Sequence, residues 1–102
     1  MSAEPGYRVP AVLGAVRALD VLAALNGAGA SLSEVARAIG RSKSTVFNLL
    51  ATLDDEGLVF RDPATRRYHL GARLIPLGAA AAREARPPVS YTHLTLPTTP
   101  YV

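Results

Sequence analysis

The chain has 102 residues, of which 49% are hydrophobic and 19% charged, and this size and composition predict one small globular domain. It contains no cysteine, which excludes a disulfide framework and a zinc site built on thiolates. The sequence lacks the apolar run of about 18 residues that a membrane span needs, and residues 1–10 do not form a signal peptide, so we expect a cytoplasmic protein. A formal net charge of +3 favours an anionic partner.

The first predicted element is a helix from Pro10 or Ala11 to about Leu25, since proline suits the first turn of a helix. Residues 1–9 before it are polar and contain Pro and Gly, and we expect a disordered lead-in there. Apolar residues at helical spacing predict a buried stripe made of Val12, Val16, Leu19 and Ala23. Further apolar residues widen this stripe, so the helix is predicted to be enclosed or shared with a second subunit.

A second helix is predicted to begin at Ser31. Ser31 and Glu34 have the spacing of a capping box, in which each side chain bonds the free backbone N–H of the other residue. Gly40 is predicted to end the helix in the left-handed conformation. The inner face of this helix is predicted to hold Leu32, Val35, Ala36 and Ile39.

A third helix follows after so short a turn that the two helices must cross steeply, which is the helix-turn-helix geometry. Ser42 is its predicted N-cap, and the helix is predicted to run from Lys43 to about Glu56. The predicted inner face consists of Val46, Leu49, Leu50 and Leu53.

The opposite face of the third helix is small and polar near its N-terminus. That face holds Ser44, Asn48 and Ala51, with Thr45, Phe47 and Lys43 beside them. Such a surface can enter the major groove of DNA, bond base edges and reach phosphates. From these residues alone, an ordinary solvated helix face is the alternative.

A short β-hairpin is predicted behind the third helix. Residues 58–61 and 67–70 favour strands, and residues 62–65 favour a turn. A hairpin in this position is a wing. Arg66 and Arg67 at its tip are predicted to meet phosphates or to enter the minor groove, and the alternative is that they only confer solubility.

A fourth helix is predicted from Gly71 to Arg86, kinked or restarted near Pro76. Gly78 and the alanines of 79–82 allow close approach of another helix, which favours a linker or dimerisation helix over an exposed helix of marginal stability. The predicted fold class is therefore mainly α with a small β-hairpin. It comprises a winged helix-turn-helix over 10–71 and a linker or dimerisation helix over 72–88.

These segments resemble the DNA-binding domain of IclR-type bacterial transcriptional regulators. The resemblance is carried by the segments 16–22, 32–36, 42–46, 49–53, 56–59 and 68–71. It implies a winged helix-turn-helix that dimerises and binds a near-palindromic operator in double-stranded DNA, with no enzymatic chemistry in this part. In such regulators a ligand-sensing domain follows the linker helix.

One residue departs from the family pattern. Asn48 stands where the family commonly carries arginine, and an asparagine can pair with adenine N6 and N7 instead. The residues predicted to contact DNA are Arg41, Ser42, Lys43, Ser44, Thr45, Phe47, Asn48, Arg66 and Arg67. The alternative function is a winged helix that contacts only other proteins.

No cofactor, metal or membrane partner is expected. The two histidines, His69 and His93, lack the acid or thiol spacing of a metal or catalytic site, and His69 is predicted to lie on the surface of a strand.

Residues 89–102 contain no Ala or Arg, are rich in Thr, and resemble the translation of a transposase sequencing adapter. We expect this tail to be non-native and the chain to be a fragment that lacks its effector-binding domain, through which alone a small-molecule effector would act.

Overall fold

The computed structural model describes residues 8–85. Within them, three helices are followed by a two-stranded hairpin and a fourth helix, which confirms the predicted fold class. The elements are α1 (Pro10–Ala24), α2 (Leu32–Ile39), α3 (Lys43–Asp55), β1 (Val59–Arg61), β2 (Tyr68–Leu70) and α4 (Leu74–Glu84). The expectations for residues 1–7, for the end of the 72–88 segment and for the 89–102 tail lie outside the described residues.

α1 begins at its proline as predicted, but of the predicted buried stripe only Leu19 packs against the core, and it is partly buried. Val12 and Val16 are 60% and 49% exposed, and the buried residues are Gly14, Ala18 and Leu22. Helical spacing groups residues by face, but it does not select the inward face when most faces are apolar. Gly14 faces inward because its lack of a side chain lets α3 approach closely. A Cβ added at Gly14 would lie 2.9 Å from Cδ1 of Leu49.

α2 has the predicted capping box. The Ser31 N–H donates to Oε1 of Glu34 at 3.0 Å, and the Glu34 N–H donates to Oγ of Ser31 at 3.1 Å. Gly40 follows the helix with φ of 73°, in the left-handed region that glycine adopts without strain. These local contacts set both ends of α2.

α3 begins directly after the predicted N-cap. The Thr45 N–H donates to Oγ of Ser42 at 3.2 Å. The inner face is buried at Val46, Leu50 and Leu53, while Leu49 is partly buried. The core of the domain joins α1, α2, α3 and the hairpin, and its largest fully buried side chains are Leu50, Val35, Val46 and Val59.

The wing is an antiparallel pair in which Phe60 lies opposite His69. Both strands are one residue shorter than predicted. The turn is closed by the side chain of Asp62, whose Oδ1 accepts from the Ala64 N–H at 2.9 Å. His69 lies on β2 as predicted, but it is partly buried because its ring stacks on Phe60 at 5.1 Å and covers Gly29.

α4 begins at Leu74, later than predicted. Pro76 is therefore the third helical residue, where an N–H would have no intrahelical acceptor. The proline fits the first turn of α4, which runs as one helix from Leu74 to Glu84, and the predicted helix over residues 71–73 does not form. No residue of α4 is buried. Its start is held by Arg73, whose guanidinium donates to the carbonyl and to Oε1 of Glu56 at 2.9 and 3.0 Å.

Candidate nucleic-acid interface

The side of α3 opposite the core is open to solvent. Ser44, Thr45, Phe47 and Asn48 are exposed, and Ala51 is partly exposed. Val46, Leu50 and Leu53 fix the other side of the helix in the core. The exposed side chains therefore keep a fixed position along and around the helix axis relative to the domain. The structure thus brings together the residues of α3 that the sequence singled out.

Three hydroxyl groups cluster at the N-terminus of α3. Oγ of Ser42 accepts a hydrogen bond from the Thr45 N–H and donates one to Oγ1 of Thr45 at 3.0 Å. Oγ of Ser44 lies 3.4 Å from the same Ser42 oxygen. Ser42 therefore caps the helix, while Ser44 and Thr45 keep further hydrogen-bonding capacity toward solvent. Ser42 thus has a structural role as the N-cap of α3.

The charge on α3 is unequally distributed along its length. Lys43 is exposed in the first turn, which contains no acidic residue. Asp54, Asp55 and Glu56 lie together at the other end. Lys43 and the helix dipole together make the N-terminal end of α3 positive. The negative charge at the C-terminal end opposes the helix dipole, which lowers the stability of the helix. An anion is favoured at the N-terminal end.

Asn48 lies beside α1. It lines a shallow groove with Val12 and Ala15 of α1 and with Thr45 and Thr52 of its own helix. Within residues 8–85 its side-chain amide has no hydrogen-bond partner, whereas the neighbouring Thr52 hydroxyl donates to the Asn48 main-chain carbonyl at 2.9 Å. The amide is thus available to an external donor and acceptor pair.

Phe47 and Ala51 lie on the other flank of α3, toward the wing. They line a second groove together with Asp54 of α3 and with Arg61 and Arg66 of the hairpin. Sequence reasoning missed Arg61. Its signal was the alternation of the strand, which places Arg61 opposite the buried Tyr68 and beside the turn.

Arg41 is turned toward α1. Its guanidinium donates to the Pro10 carbonyl at 3.2 Å and lies over Gly14, so that a Cβ there would be 3.2 Å from Nη1. The residue is only partly exposed. This contact explains how the short turn before α3 is fixed against α1, and it gives Arg41 a structural role.

The two predicted wing arginines point to different surroundings. Arg66 is exposed at the turn with φ of 64°. Arg67 instead donates to the carbonyls of Ala28 and Gly29 at 3.2 and 3.1 Å and to Oε1 of Glu34 at 3.0 Å. The structure therefore places Arg67 as a link between the wing and α2 rather than at the tip of the wing.

Glu34 takes part in both the helix cap and the wing link. Its Oε1 accepts from the Ser31 N–H and from Arg67. The Ser31 hydrogen bond and then the positive charge of Arg67 hold the pKa of the Glu34 carboxyl below its usual value. The carboxylate is thus ionised at neutral pH.

Across residues 8–85, no group of three His, Asp or Glu side chains is arranged to hold a metal ion. In the same part of the chain no helix has both the length and the apolar character needed to cross a membrane.

Known proteins are similar to this chain in sequence and in fold. The family profile described as the IclR helix-turn-helix domain matches residues 14–63. The glycerol operon regulatory protein of Streptomyces coelicolor is 47% identical over 47 residues, which are 46% of this chain and 18% of that protein. The HTH-type transcriptional regulator XynR of Escherichia coli is 32% identical over 72 residues, covering 69% of this chain and 29% of that protein.

A solved structure agrees with these sequence matches. The IclR transcriptional regulator of Alicyclobacillus acidocaldarius superposes with a TM-score of 0.71 at 45% identity, over 74% of this chain and 30% of that chain. This chain spans less than a third of the length of each of these three relatives. From the profile match, the identities and the shared fold, we conclude that residues 14–63 form an IclR-family helix-turn-helix domain.

Proposed function

We propose that this chain is the DNA-reading part of a cytoplasmic transcriptional regulator without enzymatic activity. The observation that carries the proposal is the exposed N-terminal half of α3, which presents small polar side chains and Lys43 and has no acidic residue in its first turn. The relatives are named as regulators, and this supports the same role for the part of the chain that matches them.

The proposed contacts divide between phosphates and bases. Lys43 and Arg66 are exposed cations at the start of α3 and at the wing, where they suit phosphates. Ser44, Thr45 and Asn48 suit base edges in the major groove, and the Asn48 amide matches the donor and acceptor of adenine. Arg41 and Arg67 support these residues through their contacts within the domain.

We also propose that the whole protein acts as a homodimer on a near-palindromic operator. The support is apolar surface that the described residues leave uncovered, at Val12 and Val16 of α1 and at Ile75 and Leu77 of α4. Two reading heads related by a two-fold axis would meet half-sites about one helical turn apart. Response to a small-molecule effector is proposed to belong to a domain outside this chain.

Salt-dependent duplex binding tests the proposed function. We expect binding of a labelled duplex of random sequence, followed by fluorescence anisotropy, to weaken steeply between about 50 and 200 mM salt, because phosphate contacts release counterions. Lys43→Ala should lower the slope of log affinity against log salt by about 0.9.

The matched control is Arg83→Ala, which removes an exposed positive charge from α4 and should leave the slope unchanged. If the chain binds no duplex at 50 mM salt, or binds with no salt dependence, the proposed function is wrong. A module for protein–protein contacts would then be the better description of this domain.

A further inference from the structure

We propose that Phe47 and Ala51 form a contact site for the 5-methyl group of thymine, so that the operator half-site holds an A·T pair beside the wing flank of α3. The inference rests on the DNA binding proposed above and names the base chemistry that the site prefers.

The position of Phe47 carries the proposal. Phe47 and Ala51 are four residues apart on α3, so they lie next to each other on one flank of the helix and line the same groove. Phe47 is 52% exposed although it is aromatic, and it stands beside exposed polar residues such as Ser44 and Asn48. An aromatic side chain held open at the reading surface gains by burial against an apolar partner.

Thymine supplies the only apolar group of that kind in the major groove. Its C5-methyl group projects from the base edge, whereas cytosine carries only a hydrogen atom at C5 and guanine presents the acceptors N7 and O6 there. Phenylalanine and alanine are side chains that contact this methyl group in protein–DNA complexes. The chemistry of the Phe47–Ala51 pair therefore points to thymine among the four bases.

The hairpin residues that line the same groove indicate how the strand would lie. Arg61 and Arg66 of the hairpin are exposed and line the same groove as Phe47, together with residues 31–33 at the start of α2. Their positive charges suit the phosphates of one strand, whose base edges would then point toward α3. Asp54 lines the groove nearer the C-terminus of α3, and its charge opposes a phosphate at that end.

The composition of α3 also disfavours a G·C pair. Residues 44–53 contain no arginine or lysine, and these are the side chains that bond guanine O6 and N7 most often. The Asn48 amide suits adenine, and the Phe47–Ala51 pair suits thymine. Because residues 47 and 48 are about 100° apart around the helix, we expect them to meet neighbouring positions of one A·T-containing step.

The first experiment selects the preferred duplex. The whole chain would be used to enrich a random double-stranded library at low salt, and the enriched half-site would be sequenced. Enrichment of a half-site that contains an A·T step supports the proposal, and enrichment of a half-site with only G·C pairs overturns it while leaving DNA binding intact. Failure to bind any duplex overturns the proposed function and this inference together.

The second experiment removes single methyl groups from the selected duplex. Replacing each thymine in turn by deoxyuridine keeps the base pair but deletes the C5-methyl group. At one position we expect the wild-type chain to lose about fourfold in affinity, the factor that corresponds to one buried methyl group. Equal affinity for every substituted duplex would overturn the proposal.

Variants of the aromatic residue locate the contact on the protein. Phe47→Ala should bind the thymine and deoxyuridine duplexes equally, while Phe47→Leu, which keeps an apolar side chain, should retain part of the discrimination. Phe60→Ala is the matched control, because Phe60 is similarly exposed but lies on β1. Discrimination that persists in Phe47→Ala, or that disappears in Phe60→Ala instead, would assign the methyl contact elsewhere.

Discussion

The winged helix-turn-helix and α4 are held in very different ways. α3 has 13 residues and buries Val46, Leu50 and Leu53, whereas α4 has 11 residues and buries none. Ile75 of α4 is 74% exposed, and the start of the helix depends on contacts made by Arg73. The core therefore holds α3 at a fixed position, whereas α4 buries no residue within residues 8–85.

The largest expected contrast comes from removing one leucine from each helix. Leu50→Ala should lower the free energy of unfolding by about 2–5 kcal/mol, because it opens a cavity in the core. Leu77→Ala in α4 should change it by less than about 0.5 kcal/mol, since the side chain is exposed. Chemical denaturation followed by circular dichroism measures both values. Equal losses would show that α4 belongs to the same cooperative unit.

The two arginine–carboxylate pairs give a smaller contrast. Both have a nitrogen–oxygen distance of 3.0 Å, and both arginines also donate to main-chain carbonyls. Among carbonyls, Arg73 bonds only the exposed one of Glu56. Arg67 instead bonds the carbonyls of Ala28 and Gly29, the second of these in a part-buried contact. Arg67→Ala should lower the free energy of unfolding by about 1–2 kcal/mol, because a part-buried carbonyl then loses its donor. Arg73→Ala should cost less than about 1 kcal/mol, since its pair is exposed.

The Arg67 prediction also separates a structural role from a DNA contact. At a temperature where the variant is folded, Arg67→Ala should keep the salt slope of duplex binding, whereas Arg66→Ala should reduce it by about 0.9. A reduced slope for Arg67→Ala would return this residue to the set of phosphate contacts.

The smallest contrast uses one glycine in each of two helices. A Cβ at Gly78 of α4 meets no atom within 4 Å, whereas a Cβ at Gly14 of α1 lies 2.9 Å from Leu49. Gly78→Ala should therefore stabilise α4 by about 0.5–1 kcal/mol through helix propensity and slow its amide hydrogen exchange by roughly two- to fivefold.

In Gly14→Ala the same gain is offset by the movement that Leu49 must make, and we expect no net stabilisation of the domain. Hydrogen exchange resolved by residue checks both variants. A gain in global stability from Gly14→Ala would show that the α1–α3 contact is looser than the structure indicates.

Local sequence patterns predicted most of the fold. The capping box at Ser31 and Glu34, the N-cap at Ser42 and the wing turn at Asp62 all form as predicted, because each depends on residues two or three positions apart. The exposed face of α3 was also predicted, because its apolar and polar residues separate around the helix, with Phe47 as the exposed aromatic exception. The assignment of individual side chains to DNA contacts stays a prediction.

The long-range contacts were beyond the reach of local patterns. Arg41 and Arg67 are next to exposed residues in the sequence. Each nevertheless donates to a main-chain carbonyl more than 30 positions away along the chain. Strand alternation puts Arg61 on the same side of β1 as the buried Val59, but whether that side reaches the groove depends on how the wing lies against α3.

The sequence by itself determined the order of the elements, their caps and the small polar surface of α3, since these follow from chemistry within one or two turns of the chain. Only the tertiary structure decided which side of α1 is buried and which arginines are free. The reason is physical. Several faces of α1 are apolar enough to enter a core, and the buried one is the face of Gly14, which has no side chain and so allows Leu49 of α3 and Arg41 to come close.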